Sequence, residues 1–173
     1  DDDTADDDDS AGDDDDSAMT TVVSLLIEAD SSSADTRGSI TLTVTATLSN
    51  GFTAIASSSE GLTIGLNTVG GANSAGYNEP NVTSVSATTV EVTASIGAVD
   101  SPPITLEFVP SIVVPGDLIV HELLADGTAG DANGDLTTDA NQDAFIEFLN
   151  VSGVELDLAG CAVYERDFDL TLA

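Results

Sequence analysis

Between residues 20 and 110, apolar side chains alternate with threonine and serine, and the three-to-four spacing of an amphipathic helix is absent. The longest run is Ile40-Thr41-Leu42-Thr43-Val44-Thr45-Ala46-Thr47-Leu48, in which one face is aliphatic and the other hydroxylated. That period of two belongs to a strand with one face in a core and one in water. Asn50-Gly51 follows it and supplies a turn. The same reasoning predicts strands over 22–27, 62–66, 82–86, 90–96 and 104–109, each rich in β-branched residues and separated by glycine, asparagine and proline. Pro102 and Pro103 have no amide hydrogen and keep the start of the last of these out of a ladder. This comes to roughly the seven strands of a sandwich.

A second apolar pattern begins after Pro115. Leu118, Ile119, Val120, Leu123 and Leu124 form one strand, and residues 145–149 form another in which Ile146 and Phe148 alternate with Phe145, Glu147 and Leu149. The connection between them is long for a compact domain and carries Asp126, Asp131, Asn133, Asp135, Asp139 and Asp143. Loops of this kind are usually ordered by something or carry a task. The fold class predicted is all-β: an immunoglobulin-like sandwich over 20–110, a linker over 111–116, and a partial second sandwich over 117–173. An acidic tail over 1–19 is expected to be disordered.

The tail expectation rests on composition. Eleven of the first 18 residues are aspartate, and a run of like charges with nothing apolar to bury stays extended. Across the chain, 32 acidic residues face only Arg37 and Arg166, for a net charge of -30. This repels nucleic acid and anionic lipid, so direct nucleic-acid binding is excluded and membrane attachment is expected only through a lipid anchor outside this chain. It also favours a saline or cation-rich setting, where screening relieves self-repulsion. Cys161 is the single cysteine, which rules out an internal disulfide framework, and it is expected to be a buried free thiol.

The acidic loop suggests a Ca²⁺ site. Asp131, Asn133 and Asp135 alternate as positions 1, 3 and 5 of an EF-type loop do, Thr137 offers its carbonyl at position 7, and Asp139 falls at position 9. Leu136 stands at position 6, where the turn favours glycine. Gln142 stands at position 12, where a bidentate carboxylate belongs, so Asp143 serves in its place one residue later.

Two stretches resemble known families. Val120-His121-Glu122-Leu123, then Ala144-Phe145-Ile146-Glu147-Phe148-Leu149-Asn150, then Leu156-Asp157-Leu158-Ala159-Gly160-Cys161 resemble, in order, the I-N-E, E-F-I-E-L-x-N and V-D-L-S-G-W segments of the lamin tail domain. His121 replaces the usual Asn and Cys161 the usual Trp, which removes a large buried ring. The resemblance implies an immunoglobulin-like domain of which 117–173 supplies only part. Earlier, Ser33-Ala34-Asp35-Thr36-Arg37-Gly38-Ser39-Ile40-Thr41-Leu42-Thr43-Val44 and the turn Leu48-Ser49-Asn50-Gly51 resemble the bacterial immunoglobulin-like repeats of invasin- and intimin-type adhesins. The T-D-x-x-G segment of that family is missing. The Asp-Ser-Ala blocks of the tail are similar to the spacers of bacterial surface lipoproteins.

Catalysis finds little support. His121 is the only histidine, Glu122 and Glu147, both on strands, suggest a carboxylate pair for glycoside chemistry, and no G-x-S-x-G, H-E-x-x-H or phosphate-cradling loop occurs. With no Trp, stacking of sugars is poorly served. The expectation is a non-enzymatic module, secreted or on a bacterial or archaeal cell surface, that serves a structural or adhesive role towards a protein or cell-surface ligand. The alternative is an accessory, targeting region of a larger secreted nuclease or phosphatase.

Overall fold

The computed structural model describes residues 20–69, 74–140 and 142–164. The acidic tail predicted over 1–19 lies outside the described residues, as does Arg166. The fold is all-β.

Two five-stranded sheets face one another in the first unit. The first is ordered β1 (Val22–Ala29), β3 (Ile40–Leu48), β7 (Asn81–Ser84) and β6 (Ala75–Asn78), with β4 (Thr53–Ile55) also on β3. The second is ordered β2 (Ser33–Asp35), β10 (Ile104–Val109), β8 (Thr88–Ile96) and β5 (Leu62–Val69), with β9 (Val99–Asp100) also on β8. All these pairings are antiparallel except β2 with β10. The chain therefore starts in one sheet at β1 and crosses to the edge of the other at β2.

The alternation read from the sequence sets which face is inside. Along β3, Ile40, Leu42, Val44 and Ala46 are buried, and Thr43 between them is exposed. Leu25 and Ile27 of β1 and Val82 of β7 join them from the same sheet. From the opposite sheet come Val90, Val92 and Ala94 of β8 and Leu106 and Phe108 of β10. Burial of these aliphatic side chains, each worth about 1.5–3 kcal/mol when complete, dominates the stability of the unit. The turn at Asn50-Gly51 is formed as expected: Gly51 takes φ 85 and donates to the Leu48 carbonyl at 2.8 Å.

The second unit is built differently. β12 (Leu118–Leu124) and β13 (Phe145–Asn150) make an antiparallel ribbon with a bulge at His121, between the pairs Val120–Phe148 and Glu122–Glu147. Ile119, Val120, Leu123, Phe145, Ile146, Phe148 and Leu149 are all between 36 and 61 % exposed. Among the described residues no second sheet covers either face of the ribbon. Cys161, expected to be buried, is exposed. It lies in the run 157–164, every residue of which is exposed, because no described sheet packs over it.

A polar joint connects the units. Ser111 and Ile112, in the stretch read as a linker, form β11 (Ser111–Ile112), which pairs in parallel with β14 (Leu156–Asp157). Thr36 Oγ1 donates to the Glu155 carbonyl at 2.8 Å and lies 3.0 Å from Ser111 Oγ. Glu155 donates its amide to the Val85 carbonyl at 2.8 Å and accepts the Ala87 amide on Oε2 at 2.9 Å. Beside these contacts, Arg37 pairs with Asp117 at 2.5 Å and donates to the Ile112 carbonyl at 3.0 Å.

Candidate functional site

The loop between β12 and β13 is folded by its own aspartates. Asp126 starts it: Oδ1 accepts the Thr128 hydroxyl at 2.6 Å and the Thr128 amide at 2.9 Å, and these two bonds hold its carboxyl below the usual range. A short 3-10 turn over Gly127–Ala129 follows. A Cβ on Gly127 would meet the Asp139 carbonyl, Asp143 Cβ and the Ala144 amide, so the loop closes onto a position that has room only for glycine.

Asp131 organises the next turn. Its Oδ1 accepts from Gly134 at 2.8 Å and Asp135 at 3.1 Å, and its Oδ2 accepts from Leu136 at 2.8 Å. Asn133 Oδ1 accepts the Asp135 amide at 2.9 Å, and Asp135 Oδ1 the Thr137 amide at 2.8 Å. Leu136 takes φ 70, the left-handed conformation that position 6 of an EF-type loop requires, and is 94 % exposed. It is the one described non-glycine residue at positive φ. The turn therefore forms without the glycine it favours.

Asp143 closes the loop. At 1 % exposure it is among the most buried side chains of the molecule, yet both its oxygens are satisfied. Oδ2 accepts the Asp139 amide at 2.7 Å, and Oδ1 accepts Ala132 at 3.0 Å and Asn133 at 3.2 Å. The Asp139 bond contributes most to lowering its pKa, and together the three bonds outweigh the desolvation that raises it. The Asp143 amide returns to the Asp139 carbonyl at 3.0 Å, and Asp139 Oδ1 accepts from Gln142 at 3.1 Å.

The six predicted ligands thus divide into two groups. Asp131, Asn133, Asp135 and Thr137 belong to one exposed turn, while Asp139 and Asp143 belong to the base of the loop. Among the described residues no three carboxylate, imidazole or thiol groups converge on one point. Asp143 reaches the start of the loop through the amides of Ala132 and Asn133, so the base and the turn are tied together. The donor set is entirely oxygen, which suits a hard cation such as Ca²⁺.

On the ribbon, the strand carboxylates Glu122 and Glu147 are registered opposite one another, and the bulged His121 places Nδ1 3.2 Å from Glu147 Oε1. Both members of that pair are about half exposed in water. The joint was not apparent from sequence, because Ser111 and Glu155 carry no motif and Thr36 lies 119 positions from Glu155. Compared with known proteins, the chain matches no family model and no curated protein.

Proposed function

We propose that the chain is a non-catalytic structural or adhesive module of a secreted or cell-surface protein, in which an immunoglobulin-like sandwich is presented on an acidic tether and continues into a lamin-tail-like unit. The observation that carries this reading is how the side chains are used. The interior of the first unit is aliphatic and aromatic. The carboxylates of Asp117, Asp126, Asp131, Asp143, Glu155 and Asp157 each accept main-chain amides, building turns and the joint. Carboxylates committed in this way serve shape. The lamin-tail and invasin-like identities rest on the motifs around Phe145 and Ile40, and the partner expected is a protein or cell-surface ligand. Digesting intact producing cells with an impermeant protease tests localisation and presentation together. The module should be lost from intact cells, and protection until lysis would contradict the reading.

The loop supports a second, separate reading: that 131–143 takes up Ca²⁺ through Asp131, Asn133, Asp135, Thr137, Asp139 and Asp143. What favours it is the left-handed Leu136 at the turn position, in a loop with four aspartates and no lysine or arginine. A bound divalent cation would relieve their mutual repulsion and stabilise the fold by linkage. Calorimetric titration compares the wild type with the double variant Asp131→Ala, Asp135→Ala. Heat and a raised melting temperature in the wild type alone support the site, and equal weak heats in both reject it.

A further inference from the structure

We propose that the joint between the two β units is an ionic-strength-responsive latch: docked when salt screens the units from one another, and released, with both units still folded, when it does not. Three observations lead to this.

First, the joint is made of polar contacts. Its members are the Arg37–Asp117 ion pair, the Arg37 bond to the Ile112 carbonyl, the cluster of Thr36, Ser111 and Glu155, the main-chain pairing of β11 with β14, and the bonds between Glu155 and both Val85 and Ala87. Several apolar side chains around it stay in water: Ile112 is 78 % exposed, Val85 52 %, and Val114 and Val151 48 % each, while Val113, Val154 and Leu156 are half-buried. The four exposed side chains add little hydrophobic free energy to the closed joint.

Second, undocking takes nothing from the core. The buried apolar cluster of the first unit ends at Phe108, and every partly buried hydrophobic packed on it also precedes residue 109. Among the described residues the second unit contributes no side chain to it, so separation of these leaves that interior intact.

Third, the charges oppose docking everywhere except at the joint. Residues 20–110 carry eight carboxylates against Arg37 alone, and residues 117–164 carry ten carboxylates with no lysine or arginine. Arg37 is the one Lys or Arg among the described residues, and it lies at the contact. Asp117 beside it is a node: Oδ2 also accepts the Val114 amide at 2.7 Å, and its carbonyl accepts Val151 at 2.8 Å. Through its carboxylate and its carbonyl, Asp117 therefore ties the first unit, the connection and the residue after β13 together.

The sign of the salt effect follows from range. Repulsion between the units acts over distances comparable to the screening length, which shrinks from about 30 Å at 0.01 M to about 3 Å at 1 M salt. The Arg37–Asp117 contact is direct, and the Asp117 side chain is only 10 % exposed, so the same salt weakens it far less. Added salt removes more repulsion than attraction and closes the joint. This does not depend on what the module binds.

Distances measured by pulsed dipolar spectroscopy test it on the full chain. Spin labels go on Thr63→Cys in β5 and Leu149→Cys in β13, clear of the acidic loop, with Cys161→Ser to remove the native thiol and a chelator to exclude divalent ions. The expected result is one narrow distance distribution at about 1 M NaCl and a broad one at about 0.01 M, a shift in the docked-to-undocked ratio on the order of tenfold. Arg37→Gln should be broad at both, with the amide protection of β3 and β8 unchanged. Wild-type distributions that are the same at both salts, an Arg37→Gln variant that stays narrow, or undocking accompanied by loss of β3 and β8 protection would each overturn the latch.

Discussion

The two β units solve the same problem with different materials. In the first, alternating strands from two sheets bury Ile40, Val82, Val90, Val92 and Ala94 completely, and apolar burial dominates the interior. In the second, the ribbon leaves seven of its apolar residues between 36 and 61 % exposed, and order in its loop comes from aspartates accepting main-chain amides. Burial is non-directional and cooperative, and hydrogen bonding to carboxylates is local and depends on protonation. The first unit should therefore unfold as one body, and the second should open piecewise and respond to pH and ions.

The largest effect is expected from Phe108→Ala. Phe108 is 1 % exposed and should cost about 3–5 kcal/mol in denaturant unfolding of the first unit. Phe148, 43 % exposed on the ribbon, should cost no more than about 1–2 kcal/mol on the same change. Similar losses for the two would erase the contrast.

Next is Gly127→Ala. The added methyl runs into backbone at Asp139 and Ala144, so the loop must shift, at about 1–3 kcal/mol. Chemical-shift changes should be confined to residues 126–144, and the melting of the first unit should not move.

Acidification separates the units further. The folded pKa values of Asp117 and Asp143 lie below the ordinary carboxylate value, Asp117 chiefly through the Val114 amide and Asp143 chiefly through that of Asp139. Their contribution is therefore complete above about pH 4 and is lost as pH falls through the lowered folded values. Asp30, held down by Thr41, gives the first unit one such contribution. Amide spectra recorded on descending pH should lose the signals of Ala132, Asn133 and Asp139 before those of β3. The reverse order would contradict this.

The smallest structural effect is expected from Asp131→Ala. Its carboxylate serves an exposed turn, so removal should free the Gly134, Asp135 and Leu136 amides to exchange and leave the ribbon and the first unit as they are.

How much of this was legible in the sequence follows the same division. Long alternating runs declared themselves: β3 and β10 fall where the pattern put them, and β1, β5 and β8 extend their predicted ranges by two or three residues. The short edge strands β2, β4 and β9 have two or three residues each, too few for a period to register. β6 was hidden because Ala75-Gly76-Tyr77-Asn78 has the composition of a turn. In the loop, the D-x-N-x-D spacing marked residues that fold one turn, with Asp131 accepting three main-chain amides. It did not reveal that Asp143 would be buried, since burial depends on the amides of Ala132, Asn133 and Asp139 arriving around it. The joint was illegible because Thr36 and Glu155 are 119 positions apart and meet only through the fold.

The most direct measurement is native-state amide exchange across the whole chain. Amides of β3, β8 and β10 should exchange only through global unfolding of the first unit, and those of β12, β13 and residues 131–143 should exchange orders of magnitude faster through local opening. Protection in the ribbon equal to that in β3 would contradict the division of the molecule into a unit held by burial and a unit held by aspartates.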